Sequence, residues 1–428
     1  MRHLSLAVAS FTVAAMVMAA PNAWAQSDAD ARIKALEQQL ELLKQELELL
    51  KQDQAETKAR ADEAQTTADE VKESVAASQP LVSSGNSGVK LAISGQINRA
   101  VNVANDGDTT KAYFVDNDVS NSRFRLVGTA NLDDATTLGT KIELGISPNN
   151  SSNVSQDNED AGDTFDERVV EVFARNDSYG RLSLGKGSTA SDNTAEYDLS
   201  LVAGPIMYSG VADIVGGLRF TDGNNLSDIR VDDAFFNFDG LGRKDRVLYD
   251  TPVFGPGLQL STSAASDQRY DLALNWGGDY GDWSGVEFGD FVTLGAIAIS
   301  DPNEDDVNYR LDGSFSVLHD PTGLSLTLAA GGESVDNGDN PMNLYAKAGW
   351  DTEFFDFGAT GFGLDVTRAT DICFDCDTGY SLGLAGVQTL DEWGVELYTQ
   401  FRWFTIDTDT TDSLDDIYVM TAGTRVKF

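Results

Sequence analysis

Two patterns of apolar residues divide the chain. Between residues 28 and 78, apolar or small side chains recur at alternating steps of three and four, the a and d positions of a heptad repeat. This pattern predicts a coiled coil over residues 26–80, since an isolated helix would expose its leucines to water. The alternative is a single amphipathic helix that lies on the membrane surface or on the β-barrel predicted below. The seam is Ile33, Leu36, Leu40, Leu43, Leu47, Leu50, Gln54, Thr57, Ala61, Ala64, Ala68, Val71, Val75 and Ser78.

From residue 89 to residue 428 the apolar period becomes two, which is typical of β-strands that separate an apolar from a polar environment. Residues 81–88, with Pro80 before them, form a Ser/Gly-rich linker. Sixteen strands are predicted, at about 89–103, 121–131, 138–147, 167–175, 179–187, 243–250, 256–265, 268–277, 288–300, 307–318, 322–333, 341–351, 355–368, 378–389, 392–406 and 416–428. The fold class is therefore all-β, a 16-stranded antiparallel transmembrane barrel preceded by the helix.

The connections between these strands alternate between short turns and longer acidic loops, as in outer-membrane barrels. Two connections break the pattern, because 266–267 is short where a loop is due and 278–287 is long where a turn is due. The third long loop, residues 188–242, is long enough to suggest a function.

The first 25 residues have the features of a secretory signal peptide. Arg2 and His3 precede an apolar run that ends at the small-residue site Ala23-Trp24-Ala25. An uncleaved anchor is the alternative. We expect an exported protein whose helix lies in the periplasm.

The charge balance, 30 Lys and Arg against 69 Asp and Glu, excludes nucleic acid as a partner. It is compatible with a channel that prefers cations and also with acidic loops that only confer solubility. Acidic loop runs could hold divalent cations, although no metal site is predicted.

Histidine and cysteine limit the possible chemistry. After cleavage only His319 remains, in a turn-like segment, so an enzyme is a distant hypothesis, and no cofactor is expected. Cys373 and Cys376 are expected to form a local disulfide, because the exported chain has no other cysteine.

The last strand alternates strictly and ends on Phe428. The chain resembles the general porins of Gram-negative bacteria in this strand and in four further places, which are Leu91–Val103 with Ser94-Gly95-Gln96-Ile97, Ser122–Gly128 with Leu138–Glu143, Tyr179–Gly187 and Arg246–Gly255. The resemblance implies three barrels per molecule, a third loop folded inward to narrow the pore, and recognition of Phe428 by the barrel-insertion machinery. The N-terminal coiled coil departs from the best-known members.

A porin selects by pore width and by a transverse field, with acids on the inward loop and bases on the facing wall. Among the loop acids, Glu196 and Asp198 are expected to face the pore, and Asp192 and Asp213 are weaker candidates. On the wall, alternation turns Arg123, Arg125 and Arg246 inward. Arg168 is ambiguous, since Val170 and Val172 on the lipid side would direct it outward.

These observations favour passive diffusion of ions and small hydrophilic solutes through the outer membrane, with a weak cation preference. A substrate-selective channel and an envelope-spacing tether built on the coiled coil are the alternatives. The expected partners are two further copies of the chain in a homotrimer, lipopolysaccharide and outer-membrane lipid, the insertion machinery and, for a tether, peptidoglycan.

Overall fold

The computed structural model describes residues 44, 85–86, 88–223, 225–279, 282–373, 376–408 and 413–428. The chain forms two compact units, Met1–Leu81 and Val82–Phe428. The predicted signal peptide and, apart from Lys44, the predicted coiled coil lie outside the described residues. Within those residues, no helix has the length and apolar character needed to cross a membrane.

The second unit is a closed barrel of sixteen antiparallel strands, which confirms the predicted fold of this region. The strands are β1 (Lys90–Asn105), β2 in two segments (Thr110–Asp116 and Arg123–Asn131), β3 (Thr136–Pro148), β4 (Asp163–Asn176), β5 (Gly180–Ser188), β6 (Arg243–Asp250), β7 (Leu258–Ala265), β8 (Arg269–Trp276), β9 (Phe291–Asp301), β10 (Val307–His319), β11 (Leu324–Val335), β12 (Met342–Phe355), β13 (Gly358–Thr370), β14 (Cys376–Leu390), β15 (Val395–Thr408) and β16 (Ile417–Lys427).

Small elements occupy the connections. Hairpin strands lie at Arg219–Thr221 with Leu226–Arg230 and at Gly278–Asp279 with Asp282–Trp283, and Val286–Phe288 pairs with the start of β9. A short α-helix spans Val231–Ala234, and 3₁₀ turns span Asp118–Ser120, Leu201–Ala203, Val211–Ile214, Ser266–Gln268 and Asp391–Trp393.

The barrel closes where β1 pairs with β16, from Gln96 opposite Lys427 to Asn105 opposite Tyr418. Gly95 and Phe428 extend this seam by exchanging backbone hydrogen bonds of 2.8 and 3.0 Å. A Cβ atom at Gly95 would lie 2.6 Å from the Phe428 ring, so the glycine makes room for the terminal aromatic side chain.

The two faces of the strands differ as the alternation predicts. On β11, Leu324, Leu326 and Leu328 are about half exposed on the outside, whereas Ser325 and Thr327 are buried on the inside. Such an apolar outer face is unusual for a soluble protein and suits lipid.

The structure differs from the prediction in the connection after β1. Residues 104–120 were expected to form a loop, but Thr110–Asp116 pairs with Arg99–Asn105 and extends β2. The 3₁₀ turn at Asp118–Ser120 interrupts β2 between its segments. The polar residues around this interruption conceal the strand period in the sequence.

Candidate functional site: the barrel lumen

The long connection between β5 and β6, residues 189–242 and called loop 3 below, follows the inner wall of the barrel. Its polar contacts run from β8 around to β1. They join Ser191 N to Asp271 Oδ2, Tyr197 N to Ser314 Oγ, Leu201 N to Asp351 Oδ2, Gln400 Nε2 to Ile206 O, and Asn102 Nδ2 to Ile214 O, at 2.7 to 3.2 Å.

Apolar side chains of loop 3 fill one side of the lumen. Val202, Met207 and Phe235 are buried in a cluster that includes Phe404 of β15 and Tyr345 of β12. The Phe235 and Phe404 rings meet edge to face at 5.2 Å. Because this side is packed, open space in the lumen lies on the other side, between loop 3 and the strands near β2–β8.

A cavity of about 450 Å³ occupies that other side. Its charged lining comes from β2–β6 and from the first part of loop 3. The lining cations are Arg123, Arg125, Lys141, Arg181, Arg243 and Arg246, and the lining acids are Glu143, Glu171, Asp192, Glu196 and Asp250.

Glu143 on β3 holds the first group of arginines. Arg125 Nη2 lies 2.6 Å from its carboxylate, Arg168 Nε lies 2.8 Å away and Arg123 Nη1 lies 3.7 Å away. Glu143 itself is 3% exposed. The carboxylate therefore lies behind the guanidinium groups that it orders.

Arg168 points inward. The alternation with Val170 and Val172 would have placed it on the lipid side, and the structure corrects that interpretation. The register of β4 against β3 shifts between Glu143 and Leu144, so Arg168 is the extra residue of a β-bulge. A bulge breaks the alternation of side-chain direction locally, and a single sequence pattern does not reveal it. Val170 remains outside and 44% exposed.

Glu171 on β4 holds the second group. Arg181 Nη2 and Arg246 Nη2 donate to its two carboxylate oxygens at 2.7 and 2.6 Å. Arg246 also donates to Ser188 O and Gly185 O, both at 2.8 Å. Each of its three guanidinium nitrogens donates a hydrogen bond and the residue is nearly buried, so Arg246 is a fixed part of the wall.

Two of the four predicted loop acids line the cavity. Glu196 Oε1 accepts a 3.0 Å hydrogen bond from Asn237, and Asp192 lies 3.9 Å from Arg243. Burial is the main cause that raises the pKa of Glu196 to about 7. Asp192 adds to this effect, and the Asn237 hydrogen bond opposes it.

The other two acids lie elsewhere, and the expectation that Asp198 faces the pore is wrong. Asp198 forms a 2.5 Å ion pair with Lys347 of β12, and both side chains are buried. Asp213 accepts a hydrogen bond from the Tyr208 hydroxyl and is not among the residues that line the cavity. Both acids fasten loop 3 to itself or to the wall.

Sequence reasoning missed Lys141, Glu143 and Arg181 as lumen residues. The signal was present, because Ile142 and Leu144 alternate with Lys141 and Glu143, and Leu182 and Leu184 alternate with Arg181. All four apolar side chains belong to the outer face, which leaves the charged ones inside.

Outside the lumen, Cys373 and Cys376 are joined by a disulfide with their Cα atoms 5.1 Å apart. His319 Nδ1 lies 2.7 Å from the Thr322 hydroxyl in the turn after β10. Within the described ranges, no group of three or more His, Cys, Asp or Glu could hold a metal ion.

The comparisons with known proteins agree with this geometry. The sequence profile of Gram-negative porins matches residues 61–419. The chain belongs to the Gram-negative porin family. This porin is therefore a barrel protein of a Gram-negative outer membrane. A comparison with curated proteins found no match.

Solved structures share the fold of this porin at low identity. The anion-selective porin from Comamonas acidovorans is 14% identical with a TM-score of 0.53, covering 79% of this chain and 100% of that chain. OmpT, an outer membrane protein of Vibrio cholerae, is 12% identical with a TM-score of 0.52, covering 82% and 100%. Its trimer form is 11% identical with a TM-score of 0.50, covering 80% and 100%.

Proposed function

We propose that this porin is a water-filled channel for passive diffusion of ions and small hydrophilic solutes, narrowed between loop 3 and the wall formed by β2–β6. The observation that supports this most directly is the charged cavity beside a packed loop. Asp192 and Glu196 lie on its loop side and Arg123, Arg125 and Lys141 on its wall side. Opposed charges fixed across a narrow aqueous path create a transverse field. No catalytic step is part of the proposal.

The composition of the chain leads us to expect a channel with a weak preference for cations. This expectation rests on the net charge of −39, which counts every loop and both ends of the chain. The cavity lining does not share that balance, since six cations face five acids there. We therefore assign the narrow part of the channel no preference for cations.

Conductance of the purified full-length protein in a planar lipid bilayer tests the proposal. We expect stepwise current increases that persist at low voltage and scale with salt concentration. If the conductance changes little with the solute that is added, general diffusion is favoured. If a single small solute blocks the current, a substrate-selective channel is favoured. Absence of any current would refute the pore and favour the tether, which predicts that the full chain sediments with isolated cell wall.

The outer face of the barrel supports assembly into a homotrimer. The face formed by β1 and β4–β6 carries Arg99, Glu167, Lys186 and Asp245, whereas the outward positions of β10–β12 are apolar or small. An Arg or Lys that faces lipid at mid-depth costs roughly 2–4 kcal/mol and an acid costs less, so this face suits another copy of the chain better than lipid. Sedimentation in detergent should give three chains, and Leu184→Asp should give single barrels.

The remaining partners belong to the same proposal. Phe428 is 65% exposed at the seam, where the insertion machinery could recognise it during assembly. Lipopolysaccharide would contact the acidic loops through divalent cations. Deletion of Phe428 should reduce the amount of porin in the outer membrane, and retention at the normal level would contradict that role.

A further inference from the structure

We infer that the narrow part of this channel favours small anions that carry carboxylate or phosphate oxygens, and that Lys141 and Arg125 set this preference. The inference rests on the proposed function, because it names the class of solute that the same lumen passes most readily. It comes from which charged groups lie at the lumen surface and which lie behind them. The composition of the whole chain does not reveal this arrangement.

The acids of the wall are covered, whereas two of its arginines reach the lumen surface. Glu143, Glu171 and Asp250 are 3%, 5% and 7% exposed. By contrast, the Arg125 side chain is 40% exposed and the Arg243 side chain is 30% exposed. A permeating ion therefore meets the guanidinium groups of Arg125 and Arg243 before it meets the carboxylates behind them. Water screens the more distant charges, so the nearer ones dominate the local field.

The arginines outnumber the carboxylates that hold them. Glu143 shares its charge among Arg123, Arg125 and Arg168, and Glu171 shares its charge between Arg181 and Arg246. Five guanidinium groups thus surround two carboxylates, which leaves a net positive wall. The ion pairs hold the arginines in fixed positions, so the excess charge is directed at the lumen.

Lys141 adds a charge that forms no direct ion pair in the part of the chain that the structure describes. It lies on β3 opposite Glu171 of β4 and two residues from Glu143, and it lines the cavity. Among the residues that the structure describes, no carboxylate lies within 4 Å of its Nζ atom. Lys141 is half-buried and lines the cavity near both arginine groups, so a passing anion can transfer from one group to the other through it.

The loop side presents two acids to the cavity, fewer than the six cations of the wall. The Asp192 side chain is 6% exposed and faces Arg243. Glu196 already accepts a hydrogen bond from Asn237. Guanidinium groups pair well with carboxylate and phosphate oxygens, because their N–H bonds match the spacing of two oxygens. Small oxyanions are therefore the class of solute that this wall favours.

Reversal potentials of the full-length protein in planar bilayers under a tenfold KCl gradient test the inference. The wild type should have a chloride-to-potassium permeability ratio above one. Lys141→Gln and Arg125→Gln should each lower that ratio by about two- to fourfold, the effect of one unit charge at close range in screened water. Potassium acetate and potassium phosphate should carry anion current that the same substitutions reduce.

Arg368→Gln is the matched control, since Arg368 is exposed on the outer face of β13 beyond Val366. Its ratio should equal that of the wild type. A wild-type ratio below one, or equal ratios in Lys141→Gln and Arg368→Gln, would overturn the inference while leaving the pore intact. Absence of any conductance in the wild type would instead overturn the proposed function, and the inference with it.

Discussion

The Arg246 guanidinium donates a 2.6 Å hydrogen bond to Glu171, although these residues lie on β6 and β4, which are separated by β5. The pair crosses β5 at Gly187. A Cβ atom there would lie 2.8 Å from Arg246 Nη2 and 3.1 Å from Glu171 Oε2. The glycine therefore permits an ion pair that joins three strands at the level of the cavity.

Gly187→Ala should displace Arg246 from Glu171 towards the lumen. We expect a lower single-channel conductance and a lower midpoint of thermal unfolding, since removal of a partner from a buried ion pair is costly. Single-channel recording and circular dichroism measure the two effects. In an Arg246→Met background the same change should have little further effect, and an equal loss in both backgrounds would contradict the role of the pair.

The buried pair of Asp198 and Lys347 should anchor loop 3. Lys347→Met leaves the Asp198 carboxylate buried without a partner and removes the 2.8 Å bond from Lys347 to Met207 O. Breaking such a pair costs on the order of 3–5 kcal/mol. We expect lower stability to denaturant and a noisier open-channel current. The double variant Lys347→Met with Asp198→Leu should recover much of the stability, and no recovery would argue against the pair as the cause.

The selectivity of the channel should depend on pH through Glu196. Because the pKa of Glu196 is raised to about 7, its charge is present above that pH and is lost below it. Asp192, Arg243 and Arg168 act on this carboxylate. The anion-to-cation permeability ratio should therefore rise as pH falls from 8 to 6. Glu196→Gln should have the high permeability ratio at both pH 8 and pH 6. If the ratio of this variant still changes with pH as in the wild type, the titration belongs to another group.

The seam between β1 and β16 should depend on Gly95. Gly95→Leu would collide with the Phe428 ring and with the Arg123 carbonyl oxygen, which lies 2.8 Å from the Cβ position. We expect slower assembly and a lower temperature of barrel unfolding on semi-native gels. Gly386→Leu on the outer face of β14 is the control, because the nearest atom to its Cβ position is 3.7 Å away. Equal behaviour of the two variants would contradict the seam argument.

The sequence alone revealed the barrel because lipid and water select opposite faces of every strand. The alternation around Phe124 and Leu126 also directed Arg123 and Arg125 inward, where the structure has them. It could not direct Arg168, since a β-bulge changes the side-chain direction without any change in residue type. It could not separate Glu196 from Asp198 either, because the partner of Asp198 is Lys347, far away along the chain on β12.

Ions should pass between loop 3 and the wall of β2–β6. Ala203 lines the cavity from the loop side, so Ala203→Cys would place a thiol on the proposed path. We would record single-channel current through this variant before and after adding a charged methanethiosulfonate reagent, with Ala330→Cys on the outer face as the control. We expect a stepwise fall in current for Ala203→Cys alone. An unchanged current in a demonstrably modified Ala203→Cys channel would contradict it.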